Sequence, residues 1–157
     1  ATPGTYRIPL RPVIDGRNWM EDQGVYLIVT SDTGYHSRWA SQSPYPSLEA
    51  GATSGLLSVS FTNTGSRAWV KGAAGEQANL GVVNDDASWS ALGVGWLSAD
   101  RVAAQTEPVV APGAVGTFTF RVRAPAMPGV YRIALRPVID GITWMENDGV
   151  FLVVTAT

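Results

Sequence analysis

The sequence predicts an all-β protein, an immunoglobulin-like antiparallel β-sandwich of about seven to nine strands preceded by an extra β-hairpin. Three observations predict it. Apolar and polar residues alternate with a period of two, and no stretch sustains a period of 3.6. The alternating runs are short and are separated by Gly, Pro, Asn and Asp clusters, as in sandwiches and barrels. One segment also occurs twice, nearly a domain length apart.

That repeat accounts for the first element. Residues 3–30 read PGTYRIPLRPVIDGRNWMEDQGVYLIVT and residues 128–155 read PGVYRIALRPVIDGITWMENDGVFLVVT, with 20 of 28 positions identical at a constant offset of 125. Such an offset is one whole domain rather than a solenoid period. The expected organisation is therefore a terminal hairpin over 1–30, followed by a complete immunoglobulin-like domain over 31–157. The hairpin either belongs to a preceding repeat or is donated to a neighbour. A two-stranded hairpin alone is at best marginal in water. Tyr6, Ile8, Leu10, Val13, Ile14, Val25, Tyr26, Leu27, Ile28 and Val29 need a partner surface, and all of them except Ile14 are the candidate inter-unit contact. One difference between the copies is informative: Pro9 stands where the second copy has Ala134, and proline lacks the ladder donor, so it must face an edge or a non-bonded position. The second copy already fills the slot that the first would take in the full unit, so docking between chains needs a displaced hairpin or another sheet edge.

Within 31–157, Leu57, Val59 and Phe61 alternate with Ser58, Ser60 and Thr62, which reads as a half-buried strand. Phe118, Phe120 and Val122 alternate with Thr117, Thr119, Arg121 and Arg123 in the same way. Tyr131, Ile133 and Leu135 alternate with Arg132 and Arg136. Val150 to Val154 is apolar on both faces, so that strand is central or has its outer face covered. Asn63-Thr64-Gly65-Ser66, Ala111-Pro112-Gly113, Ala126-Met127-Pro128-Gly129 and Asp140-Gly141 are the turns.

The run Phe61-Thr62-Asn63-Thr64-Gly65-Ser66-Arg67-Ala68-Trp69, followed by Val110-Ala111-Pro112-Gly113 and by Arg123-Ala124-Pro125-Ala126-Met127-Pro128-Gly129-Val130-Tyr131-Arg132, resembles the four-tryptophan immunoglobulin-like domain. That domain occurs in selective-autophagy receptors and, as tandem copies, in bacterial cell-surface proteins. The resemblance covers about residues 48–155, and the stretch from Tyr35-His36-Ser37-Arg38-Trp39 to Tyr45-Pro46 is similar to the bacterial surface variety. Leu135 departs from it, standing where the family often places a tryptophan. The resemblance implies a sandwich and an extracellular, cell-surface setting, and it implies no catalytic residues.

Composition narrows the chemistry. With 45% hydrophobic residues the chain can form a packed core, and 11 basic against 13 acidic residues leave no excess to draw nucleic acid or anionic lipid. No apolar run is long enough to insert in a membrane as a helix, and no charged-then-apolar leader opens this segment. Zero cysteines exclude disulfides, thiolate metal sites and a Cys nucleophile. His36 is the single histidine, and no nucleophile-elbow motif is present, so the expectation is a protein that is not an enzyme, with no catalytic residue and no cofactor. No metal is expected either; Asp85, Asp86, Glu146 and Asp148, in two oxygen-rich loops, are weak calcium candidates set against ordinary turn chemistry. Trp89 and Trp96, in the least strand-like segment of the unit, are candidates for a ligand surface. Arg132 and Arg136, with copies at Arg7 and Arg11, are read as lying beside Arg121 and Arg123 in a ladder on one sheet face. The expected function is a structural subunit or repeat of an extracellular bacterial surface fibre, built head to tail by strand or hairpin packing. Its partners would be copies of itself, as a homopolymer or a tandem array. The alternative is a cell-surface adhesion or carbohydrate-binding module with glycans or host and surface proteins as partners.

Overall fold

The computed structural model describes residues 2–157 and divides the chain into two compact units, one ending at Thr33 and the other running Gly34–Thr157. In the first unit, β1 (Gly4–Pro9), β2 (Val13–Ile14), β3 (Asn18–Trp19) and β4 (Tyr26–Ser31) form an arm of two short ladders. β1 pairs with β4 and β2 with β3, both antiparallel. Gly16 and Gly24 supply the left-handed turns at φ 73° and 69° that L side chains rarely adopt.

The second unit is an antiparallel β-sandwich. Its elements in chain order are β5 (Ser37–Gln42), β6 (Ser47–Leu48), β7 (Leu57–Asn63), β8 (Trp69–Val70), β9 (Ala78–Val82), short 3-10 segments at Val83–Asp85 and Ala87–Leu92, β10 (Gly93–Val94), β11 (Arg101–Ala104), β12 (Val109–Val110), β13 (Val115–Val122), β14 (Gly129–Ile139), β15 (Thr143–Trp144) and β16 (Phe151–Ala156). One sheet has the order β10-β13-β7-β5, and the other β11-β9-β14-β16-β6, with β15 attached to β14. β8 and β12 form a separate small ladder. The one parallel pairing in the unit joins β16 to β6.

Alternation puts one face of each long strand inside. Leu57, Val59 and Phe61 of β7 and Phe118, Phe120 and Val122 of β13 are buried, and they share one core with Leu80, Ile133, Leu135, Leu152 and Val154 of the facing sheet. Phe61 and Phe118 meet edge to face with centroids 6.1 Å apart. Trp69 is fully buried and lies over Gly116, where an added Cβ would meet the indole at 2.8 Å. The Asn63-Thr64-Gly65 turn is fixed from inside: buried Asn63 donates to the carbonyls of Arg67 (2.8 Å) and Val110 (3.0 Å) and accepts from the Gly65 N–H (3.0 Å). Gly65 must be glycine, since a Cβ would fall 2.2 Å from the Gly34 carbonyl oxygen. β16 has its outer face covered, as its two-sided apolar pattern requires, by Tyr45 stacked on Phe151 at 5.7 Å and by Arg132 over the same ring at 3.8 Å.

The expected arginine ladder does not form. Arg121 precedes Val122 at the end of β13 in one sheet, whereas Arg132 and Arg136 lie on β14 in the other. Between them the chain crosses the sandwich through Ala124-Pro125-Ala126-Met127-Pro128, whose prolines cannot extend a ladder. Arg121 instead donates to the Ser54 carbonyl (2.9 Å), and Arg136 to the Met145 carbonyl (2.6 Å).

Candidate assembly surface

The duplicated sequence folds the same way twice, down to single hydrogen bonds. Tyr6 pairs with Val29 as Tyr131 pairs with Val154, Pro9 with Tyr26 as Ala134 with Phe151, and Val13 with Trp19 as Val138 with Trp144. The Leu10 N–H donates to the Val25 carbonyl at 2.9 Å, and Leu135 to Val150 at 2.9 Å. Since successive strand N–H groups point to opposite sides, the position of Pro9 or Ala134 directs no donor at the partner strand, and proline is accommodated. Asp22 accepts from the Gly24 N–H (2.9 Å) as Asn147 accepts from Gly149 (3.1 Å). The Arg11 guanidinium donates to the Met20 carbonyl as Arg136 does to Met145, and Arg7 covers Tyr26 at 3.7 Å as Arg132 covers Phe151.

What differs is burial. On 129–156 the inner face lies against the sandwich: Ile133 is 0% exposed and Leu152 is 5% exposed. Their copies Ile8 and Leu27 are 44% and 50% exposed. Every described residue from Thr2 to Thr30 is exposed, including all nine residues named as the inter-unit contact and Ile14. Trp19 and Met20, missed by the sequence reading of that contact, are exposed as well. Their alignment with Trp144 and Met145 is the signal that could have found them.

The body 34–127 holds its own arm by polar contacts as well as by apolar burial. β9 pairs with the second half of β14, from Leu135 opposite Val82 to Ile139 opposite Ala78. Trp144 lies flat on β9 because Gly81 has no side chain; a Cβ there would meet the indole at 2.7 Å. Arg101 covers that indole at 5.1 Å. Arg101 also donates to Asp140 (2.8 Å) and reaches Asp85 at 2.8 Å and Asp100 at 3.3 Å, while Asn79 donates to the second Asp140 oxygen at 2.6 Å. Burial lowers the Arg101 pKa, and the Asp140 and Asp85 hydrogen bonds outweigh it, so the net direction is up. At the far end of the arm, Glu146 takes the Ser37 N–H at 2.6 Å and lies 2.5 Å from His36 Nδ1. Asp148 takes the Trp39 N–H at 2.6 Å, and Gln42 donates to the Phe151 carbonyl at 3.3 Å.

Burial raises the Glu146 carboxyl, but the hydrogen bonds from Ser37 and His36 prevail and hold it below the ordinary glutamate range. A carboxylate depressed in the folded state stabilises fully above its unfolded pKa, about 4.3. That contribution is lost as the pH falls through the folded value. The Glu146 side chain is 43% exposed, so solvent screens its ion pair with His36. Glu146→Gln is therefore expected to cost only about 1 kcal/mol at pH 7. The cost should shrink on acidification below pH ~4. Urea unfolding of parent and variant at both pH values checks this; an equal difference at the two would refute the assignment.

The four calcium candidates are thus already engaged: Asp85 with Arg101, Asp86 as the cap of the Ala87–Leu92 segment through the Ser88 N–H (3.0 Å), and Glu146 and Asp148 with β5. Among the described residues no group of three or more His, Cys, Asp or Glu side chains converges in a way that could hold a metal ion. Trp89 and Trp96 are half-buried and packed against the core, and the Trp96 indole N–H donates to the Arg121 carbonyl at 3.2 Å. No protein-family model matches the chain, and no curated protein sequence gives a significant match.

Proposed function

We propose that this chain is a structural unit of an extended head-to-tail assembly, in which the arm 4–31 is covered by a neighbouring sandwich. The carrying observation is the arm itself, which has the register and turn chemistry of 129–156 but an open apolar face. Burying several large side chains at roughly 1.5–3 kcal/mol each supplies the driving force without a cofactor. An extracellular bacterial surface is the setting we propose, on the strength of the motif resemblance to the four-tryptophan immunoglobulin-like domain. The alternative of an adhesion or carbohydrate-binding module has less support, because the indoles of Trp89 and Trp96 pack against the core.

Light-scattering mass after size exclusion tests the reading on residues 1–157 and on residues 34–157. The full chain is expected above its 16.7 kDa monomer mass, rising with concentration. The truncated unit is expected to stay monomeric. Monomers from both at every concentration would refute the assembly role of the arm.

A further inference from the structure

The open face of the arm carries more than apolar area. It keeps the groups that the second copy uses to grip its body. Asp15 repeats Asp140, Glu21 repeats Glu146, and Trp19 repeats Trp144. In the sandwich each of these meets a specific counterpart: Arg101 and Asn79 for Asp140, His36 and Ser37 for Glu146, and the glycine-floored slot at Gly81 for Trp144. On the arm, Asp15 and Glu21 have no hydrogen bond or ion pair with another described residue, and Trp19 is 57% exposed. In the seated copy the corresponding carboxylates keep 46% and 43% side-chain exposure, so what the body supplies to them is hydrogen-bond donors rather than burial, and an arbitrary apolar partner supplies none.

We infer that the occupant of this face is a second copy of the sandwich body 34–127, which seats arm 4–31 in the position that 129–156 takes on its own body. This deepens the head-to-tail reading above and rests on it. The substitutions between the arms are compatible with that seat. Pro9 replaces an exposed Ala134 whose donor does not face β16, and Arg17 replaces the exposed Ile142. Gln23 replaces Asp148 and keeps a carbonyl for the Trp39 N–H. Tyr26 replaces Phe151, whose ring is only half-buried. Ser31 in place of buried Ala156 is the one change that opposes the fit. In the chain 1–157 the seat on body 34–127 is already filled by 129–156, so seating arm 4–31 on a second copy requires that copy's own arm to be displaced.

A chain with a second copy of residues 34–127 joined directly ahead of Pro3 tests the seat, because residue 127 aligns with residue 2 at the 125-residue offset. Amide exchange across 4–31 is expected to slow at least ~100-fold relative to the 157-residue chain, and Trp19 to become shielded from acrylamide. An arm that still exchanges as freely, beside two folded bodies, would overturn the inference. A second protein, residues 34–127 followed by 3–32, replaces one arm by the other. It is expected to fold with a Tm within about 10 °C of residues 34–157; failure to fold where 34–157 folds would count against the seat. Neither outcome bears on whether the full chain self-associates, so failure of this seat is separable from failure of the assembly reading.

Discussion

Ile133→Ala is expected to lower the unfolding free energy of the sandwich by about 2–5 kcal/mol, because a fully buried side chain leaves a cavity. Ile8→Ala, the same change at the duplicated position, is expected to fall within ~0.5 kcal/mol in dilute protein, where the side chain already faces water. Few proteins allow one substitution to be compared in the same strand register, opposite the same neighbours, with and without a covering core. Ile8 stands opposite Leu27 as Ile133 stands opposite Leu152. Urea unfolding below the concentration of self-association measures both. Equal costs at the two positions would mean that the arm is already buried in the isolated chain, and the assembly reading would fail. In the two-body chain the Ile8→Ala cost should rise toward that of Ile133→Ala.

The second large contrast is expected in amide exchange. The Leu10 and Leu135 amides each donate a 2.9 Å hydrogen bond to the corresponding carbonyl. Protection reports the free energy of opening rather than the length of the bond that opens. An uncovered hairpin opens at little cost, so Leu10 should exchange within ~10-fold of a free-chain amide. Leu135 lies on β14, which is paired with β16 on one side and β9 on the other over a buried core, and its protection should approach the global value, at least ~1000-fold greater. Residue-resolved exchange by NMR in dilute protein decides it. Comparable protection at both amides would show that the arm is covered without a neighbour.

Period-two alternation was enough to place the inner faces of β7, β13 and β14, because burial on one face is written into every second residue. The apolar run in β16 likewise required a covered outer face, which Tyr45 and Arg132 provide. Alternation says nothing about which sheet a strand joins, which is why Arg121 and Arg132 could be read as neighbours although the Pro125 and Pro128 crossover separates them. The ring of carboxylates around Arg101 draws on Asp85, Asp100 and Asp140, and the His36–Glu146 pair spans 110 residues of sequence. Such groupings depend on strand order, and no local pattern encodes it. For Trp89 and Trp96 the sequence marked an irregular segment, but only the packed structure places their rings on the core. The open face of the arm was legible, since its copy showed which residues a covered version would bury; its polar grips were not, because the partners of Asp140 and Glu146, to which Asp15 and Glu21 correspond, are set by strand order.

The parallel pairing of β6 with β16 has a mechanical consequence. These strands lie toward opposite ends of the second unit and run in the same direction. Tension that has passed β5 and its ladder with β7 drags them in opposite senses along a shared axis. The Thr155 N–H to Pro46 carbonyl (3.0 Å), Thr157 N–H to Leu48 carbonyl (2.9 Å) and Ala50 N–H to Thr157 carbonyl (3.0 Å) bonds then bear the load together instead of peeling one by one. The β14–β16 ladder shares Thr155 and Ala156 with this clasp and resists the pull beside it. A strand pair of two residues thus forms a clasp that tension along the chain loads in shear.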